Sequence, residues 1–351
     1  MLVNRRAEER TSLSRSVLTI KREAIAHNVR EIHRFSGKRL IAVIKSNAYG
    51  MGVRHIAPLL WDLPEISAFA VATAEEGILI RELGYRGKIL VLGGIFPEEL
   101  KSFIEYELTP VVSDIEHLKV IGSENIPFHI KYDTGMGRLG FVREFINDPR
   151  LEGVMSHLST PADSEFSANQ IKEFEKIVKR YEGRSLMVHL ESSAGLIYKV
   201  PYTTHVRVGL AIYGEKPLKE YPLNLKPAVS LRSRVISVKD LPENHPVSYG
   251  KTYFTKKPTR AGVVAFGYAD GLMKSLSNRG TFFWKDCEVP IIGTITMDMT
   301  VVDLGDCPVR VGDWLTVVDE RRTFGDLARM AGTIPYELMC NISERVAREV
   351  I

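Results

Sequence analysis

The feature that most constrains this chain is an alternation. Across roughly 200 residues, short β-branched runs take turns with stretches of helical apolar spacing. The runs are Leu40–Ile44, Phe69–Ala72, Ile89–Leu92, Pro110–Val112, Phe128–Tyr132, Val154–Leu158, Leu186–Leu190 and Val206–Val208. Helical patterns fill Glu23–Phe35, Ala74–Leu83, Pro97–Tyr106 and Ser167–Tyr181, with N-cap residues at Thr73 and at Ser113–Asp114. A strand followed by a helix pairs in parallel with the next strand. Eight such units predict an α/β domain folded as a (β/α)8 TIM barrel. An open doubly wound sheet is the rival reading, because periodicity does not count closure.

Past Pro227 the texture changes. Ala228–Val238, Gly262–Phe266, Val289–Ile295, Thr300–Leu304 and Trp314–Val318 read as strands, and a short helical pattern follows from Phe324. This predicts a second, mainly β C-terminal domain. The expected division is a barrel over 20–224 and a β domain over 225–351, with an N-terminal strand in 1–19 joining the β domain. Glu215–Pro227, which holds three prolines, is the linker.

Composition narrows the partners. Of the 351 residues, 47 are Lys or Arg and 43 are Asp or Glu; a net charge of +4 is too small a surplus to predict nucleic-acid binding. No apolar run approaches the ~18–20 residues of a membrane span, and the polar opening lacks a secretory h-region. The three cysteines, Cys287, Cys307 and Cys340, form no CxxC pair, which fits a reducing cytoplasm rather than a disulfide framework or zinc cluster. No metal site is expected; His189 and Glu191 share a strand edge but lack further ligands at useful spacing.

Polar residues gather at the expected C-terminal ends of the barrel strands, where this fold places its active sites. Lys45 follows the first run, with Tyr49 four residues on; a helical turn there puts phenol and amine on one side. An amine beside a phenol suits carbonyl chemistry, in which lysine forms a Schiff base. Asp133-Thr-Gly-Met-Gly-Arg138 follows the fifth run, His157 ends the sixth, Ser192-Ser193 follow the seventh, and Arg207 with Gly209 ends the eighth.

Ala42-Val-Ile-Lys-Ser-Asn-Ala-Tyr-Gly-Met-Gly52 resembles the pyridoxal-phosphate lysine motif of bacterial alanine racemases. The resemblance continues, in the family's order, through Lys131-Tyr-Asp-Thr-Gly-Met-Gly-Arg-Leu-Gly140, His205-Val-Arg-Val-Gly-Leu-Ala-Ile-Tyr-Gly214, Val247-Ser-Tyr-Gly-Lys-Thr-Tyr253, Gly267-Tyr-Ala-Asp-Gly271 and Thr296-Met-Asp-Met299. It implies reversible interconversion of L- and D-alanine with pyridoxal 5'-phosphate, supplying D-alanine for the peptidoglycan of the cell wall. Lys45 would bind the cofactor through its amine. Tyr49, Ser193, Gly209, Leu210 and Tyr336 would cradle its phosphate. Arg207, braced by His157, would meet the pyridine nitrogen, and because arginine does not give up its proton the nitrogen stays an acceptor. Arg138 would contact the cofactor's phenolic oxygen and the substrate carboxylate, and Met297 the substrate.

Racemisation needs a base on each face of the α-carbon. The resemblance makes these Lys45 and Tyr249, with Tyr249 and Met297 coming from the other subunit of a head-to-tail homodimer. A phenol titrates near 10, so the His157–Arg207 pair is the expected source of the positive charge that would lower it. Lys131 matches a lysine that can be carbamylated in the family. Met51, Ser46, Glu191-Ser192 and Lys274 depart from the family pattern, which leaves a serine or broader amino-acid racemase as an alternative. A decarboxylase of the same barrel-plus-β plan is a further alternative, opposed by arginine at position 207. A non-catalytic cofactor-binding barrel lacks a β domain.

Overall fold

The structure, a computed structural model, describes residues 13–351. Strand β1 (Ser16–Ile20) leads into a helix, Arg22–Ser36, whose inner face buries Ala24, Ile25, Val29 and Ile32. Eight strands follow: β2 (Arg39–Val43), β3 (Ile66–Val71), β4 (Lys88–Val91), β5 (Thr109–Val112), β6 (Phe128–Lys131), β7 (Leu151–Met155), β8 (Met187–His189) and β9 (His205–Val208). They pair in parallel, and β9 pairs back to β2 with Leu40 opposite Val206, so the sheet is a closed barrel and not an open one. Closure explains the near-continuous apolar runs, because each strand is covered on both faces.

Sequence signals set the helix starts. The Thr73 hydroxyl accepts the Glu76 N–H at 3.5 Å, and the Asp114 carboxylate accepts the Glu116 N–H at 2.9 Å. Two expected strand–helix units differ from the pattern. No helix joins β6 to β7 among the described residues, and only a short 3-10 turn, Gly195–Tyr198, lies between β8 and β9.

The sixth barrel strand also sits earlier than expected. It ends at Met155, so His157 lies in the loop beyond it rather than at its end. The apolar signal of Leu158 is real, since that residue is buried. However, Gln170, the sole glutamine, replaces the sheet as the partner of this backbone: it donates to the His157 carbonyl at 3.2 Å and accepts the Ser159 N–H at 3.0 Å.

The second domain is built from β10 (Val229–Leu241), β11 (Pro246–Val247), β12 (Tyr253–Phe254), β13 (Thr259–Val264), β14 (Thr281–Trp284), β15 (Cys287–Pro290), β16 (Thr300–Asp303), β17 (Trp314–Val318) and β18 (Ala347–Val350). Its main sheet runs β15-β14-β17-β10-β1-β18, and β13 joins β10 to β16. Thus β1 lies between the antiparallel β10 and the parallel β18. Residues 1–12 of the expected N-terminal segment lie outside the described residues.

The expected strand Val289–Ile295 stops at Pro290, which has no N–H for a further rung, and Ile291 keeps only an isolated bridge to Val302. Helices Phe324–Ala331 and Pro335–Cys340 follow. The buried carboxylate of Glu215, in the linker, accepts the Phe324 and Gly325 N–H groups at 2.9 and 3.0 Å and so ties linker to helix. Among the described residues no helix is long and apolar enough to cross a membrane.

Candidate active site

Lys45 stands directly beyond the first barrel strand, and the turn after it is helical with the opposite hand to that expected. Ser46, Asn47, Ala48 and Tyr49 have φ of 53°, 53°, 55° and 57°, one turn of left-handed helix made without glycine. Such a conformation costs ~1–2 kcal/mol per residue, so it persists only where its surroundings over-determine it. They do. Glu76 accepts the Ser46 N–H at 2.6 Å, Asn47 accepts the Val53 N–H at 2.8 Å, and Tyr213 donates to the Ala48 carbonyl at 2.9 Å. From the β domain, Arg348 donates to the Gly50 carbonyl at 2.7 Å, and a Cβ on Gly50 would stand 2.0 Å from the Met339 carbonyl oxygen. The β domain therefore clamps the lysine's turn to the barrel.

The turn delivers Tyr49 into a buried ring cluster, 5.9 Å from Tyr213 and 5.8 Å from Tyr336 between centroids. Its phenol lies over Gly209, where a Cβ would meet the hydroxyl at 2.2 Å. Burial pushes that phenol's pKa up, which keeps it a neutral hydroxyl. Ser193, also buried, accepts the N–H groups of Gly209 at 3.2 Å and Ala211 at 3.3 Å, and Leu210 opens the short turn between them. Tyr49, Ser193, Gly209, Leu210 and Tyr336, which the resemblance names together, thus lie side by side at this end of the barrel.

Arg207 is buried in the barrel interior. Nη1 donates to the His189 ring at 2.9 Å and to its carbonyl at 2.7 Å; Nη2 donates to the Ser156 and Leu190 carbonyls at 2.8 and 3.0 Å and meets Nδ1 of His157 at 3.0 Å. Burial lowers its pKa to about 10, so it remains charged at neutral pH. All of these bonds use the two terminal nitrogens.

His157 is not a cation. Burial, then the charges of Arg207, Lys131, Arg138 and Lys45, bring its pKa down to about 3. The expected cationic His157–Arg207 pair is therefore one cation and one neutral acceptor.

Sequence reasoning missed the rest of this chain of bonds. His189 meets His129 at 2.8 Å, and the far nitrogen of His129 is buried with no partner among the described residues. Because Arg207 can only donate, His189 must accept at Nδ1 and donate from Nε2, which sets the tautomer of His129 in turn. A Cβ on Gly153 would lie 2.4 Å from the His129 ring, so glycine opposite that ring was a readable sign.

Lys131, the last residue of β6, is buried, and burial with the charges of Arg207 and Arg138 brings its pKa down to about 8. Asp133 organises the loop that follows. Its carboxylate accepts the N–H groups of Gly135, Met136 and Arg138 at 2.8, 2.7 and 3.0 Å, which leaves the Arg138 side chain exposed. Lys45, Lys131, Arg138 and Arg207 all act on His157. Four cationic groups near one mouth suit an anionic ligand.

Tyr249 and Met297 are 76% and 53% exposed, and no hydrogen bond or ring contact joins either to Lys45, Arg207 or Ser193 among the described residues. Their backbone is nonetheless well held. Thr294 donates to the Tyr249 carbonyl at 2.9 Å, and a Cβ on Gly267 would stand 2.3 Å from the Met297 carbonyl.

These residues fit a phosphorylated pyridine carbaldehyde. Gly209, whose missing side chain lets the Tyr49 hydroxyl come close, and the Ser193 hydroxyl beside it suit a phosphate, and the guanidinium of Arg207 suits a ring nitrogen held as an acceptor.

Comparison with known proteins gives the same picture. Residues 20–217 match the family described as "Alanine racemase, N-terminal domain", and 228–350 match "Alanine racemase, C-terminal domain". The chain is 65% identical to an alanine racemase of Aquifex pyrophilus over 339 residues, covering 97% of this chain and 99% of that one. It is 60% identical to one of Aquifex aeolicus, over 97% of this chain and all of that one. Among solved structures, alanine racemase from E. faecalis superposes with a TM-score of 0.87 at 32% identity, covering 96% of this chain and 98% of that one. The Bartonella henselae alanine racemase "with covalently bound pyridoxal phosphate" gives 0.86 at 26% identity, covering 96% and 100%.

Proposed function

Because the chain belongs to the alanine racemase family, we propose that Lys45 and Tyr249 are the two bases of its reaction, one for each face of the substrate's α-carbon. The reaction is the interconversion of L- and D-alanine, and the cofactor is pyridoxal 5'-phosphate. When bound, that cofactor supplies the electron sink that makes the α-proton acidic.

The observation that carries the proposal is the separation of the two bases. Lys45 sits in the cationic mouth of the barrel, whereas Tyr249 is presented, three-quarters exposed, by the β domain. A phenol held for catalysis has no use for bulk water, so its natural neighbour is the mouth of a second copy. We therefore assign a head-to-tail homodimer, in which the partner's β domain brings Tyr249 and Met297 to the mouth.

Within that arrangement Lys45 Nζ and the Tyr249 hydroxyl each take or return the α-proton on their own face. Arg207 donates to the pyridine nitrogen and cannot release its proton, and a weaker electron sink favours quick reprotonation over side reactions. Tyr49, Ser193, Gly209, Leu210 and Tyr336 hold the phosphate, and Arg138 orients the substrate carboxylate. Arg207, not His157, is the fixed cation available to stabilise a Tyr249 phenolate.

Lys131 is assigned as a carbamylation site. A buried amine with a pKa of about 8 is partly unprotonated near neutral pH and so can react with carbon dioxide, and the resulting anion offsets the surrounding cations. The domain division at 224/225, a cytoplasmic location and a supply of D-alanine to the cell wall complete the reading.

The test is a chiral assay on Lys45→Ala and Tyr249→Phe, with a panel of other L-amino acids alongside alanine. Both variants should lose at least 99% of racemisation. Retention of more than a tenth by either would remove that residue from the pair.

A further inference from the structure

Two of the three cysteines stand together, at a place the active-site chemistry does not use. Cys287 opens β15, and Cys307 follows β16. The two strands meet antiparallel, with Ile291 bridged to Val302 and the Ile292 N–H donating to the Val301 carbonyl at 2.9 Å. Cys287 lies four residues before Ile291 and Cys307 five after Val302, so both fall toward the same end of this antiparallel pair. The Cys287 thiol is close enough to act directly on the ionisation of the Cys307 thiol.

Cys307 is also fixed. Its carbonyl accepts from Arg260 at 2.6 Å and from the Val309 N–H at 2.8 Å, and its own N–H donates to Leu304 at 2.9 Å. Cys340 lies elsewhere, against Ser46 at the lysine's turn.

We propose that Cys287 and Cys307 are a modification site, an adjacent dithiol that closes to a disulfide under oxidising conditions. The ring so formed spans the segment from β15 to β16, which carries Thr294 and Met297. Thr294 is the residue that holds the Tyr249 backbone: it donates to the Tyr249 carbonyl at 2.9 Å and accepts the Ser248 hydroxyl at 2.6 Å. Closure of a ring of about twenty residues restricts the unfolded chain and so favours the folded domain. The modification itself does not depend on the role given to Met297.

The oxidant is a small-molecule disulfide such as oxidised glutathione. Cys287, partly exposed, attacks first: its thiolate bonds to one sulfur, the S–S bond breaks, and one glutathione leaves as thiol after taking a proton. Burial and the neighbouring Cys287 push the Cys307 thiol up to about 11, which suits it to the second, resolving step. Once deprotonated it attacks the sulfur of Cys287, and the second glutathione leaves. The protein gives up two electrons and two protons, and the small disulfide gains both.

The experiment equilibrates the holoenzyme in oxidised or in reduced glutathione buffer, acid-quenches, and counts thiols in denaturant alongside peptide mass mapping. Oxidation should leave one thiol of three, yield a peptide linked through Cys287 and Cys307, and raise the melting midpoint by a few degrees. Cys287→Ser and Cys307→Ser should each abolish that rise, whereas Cys340→Ser should keep it. Three surviving thiols, a terminal glutathione adduct without the link, or an oxidation-dependent rise that persists in Cys287→Ser would overturn the proposal.

Discussion

Nη2 of Arg207 stands 3.0 Å from Nδ1 of His157, and the imidazole is the neutral member of the pair. Burial acts first and the charges of Arg207, Lys131, Arg138 and Lys45 add to it, so the bond runs one way, from arginine to histidine. A second branch leaves Nη1 of Arg207 and runs through His189 to His129 with the same polarity.

Acid should therefore unfold this barrel early. His129 and His157 are lowered to about 3, His205 to about 4, and His189 well below its ordinary 6.5. Each is depressed in the folded chain, so the unfolded chain binds protons first as pH falls. Stability is full above about 6.5 and is lost progressively toward about 3, by up to ~1.4 kcal/mol per pH unit per histidine. Urea midpoints should fall between pH 7 and pH 5, and less steeply for His129→Asn. A flat midpoint over that range contradicts the neutral histidine chain.

Lys131 provides a second prediction. In 13C-bicarbonate the protein should show a carbamate carbon resonance that is absent from Lys131→Met, and that variant should lose about tenfold in kcat/KM, or ~1.4 kcal/mol of transition-state stabilisation. An unlabelled Lys131 in fully active protein would remove the assignment.

Gly209→Ala puts a Cβ 2.2 Å from the Tyr49 hydroxyl, so the phenol must move off the phosphate site. The affinity of the apoenzyme for pyridoxal phosphate should fall by at least tenfold, about 1.4 kcal/mol. Unchanged affinity measured by cofactor titration would show that this constellation is not the cradle.

The Lys38–Glu191 pair explains one departure from the family pattern. Glu191 is buried and accepts from Lys38 at 2.6 Å, from Thr203 at 2.8 Å and from the Val200 N–H at 3.1 Å. Lys38→Met strands a carboxylate in the interior and should cost ~3–5 kcal/mol, while Lys38→Met with Glu191→Leu should recover most of it. Equal melting midpoints for wild type and Lys38→Met would refute the pairing as a buried one.

How far the sequence could be read follows from the range of each interaction. The eight barrel strands were legible because burial on both faces leaves a local apolar signature, and Thr73 and Asp114 because caps act over three residues or fewer. The hand of the Lys45 turn was not. It depends on Arg348 and Met339, almost 300 residues away, overruling the intrinsic preference of Ser46 through Tyr49. The neutral state of His157 escaped for the same reason, since desolvation is a property of the assembled barrel. The matched motifs located Lys45 and Arg207, and the map of strand ends Ser193, yet nothing local linked His129 to Arg207.

The central claim is that Lys45 and Tyr249 meet across two subunits. Inactive Lys45→Ala and Tyr249→Phe chains, carrying different tags, are mixed, exchanged, and the doubly tagged dimers counted and assayed. In a shared-site dimer each heterodimer restores one intact site of two, so a statistical mixture should regain about a quarter of wild-type alanine racemisation. Verified heterodimers with no more activity than the parent variants would contradict it.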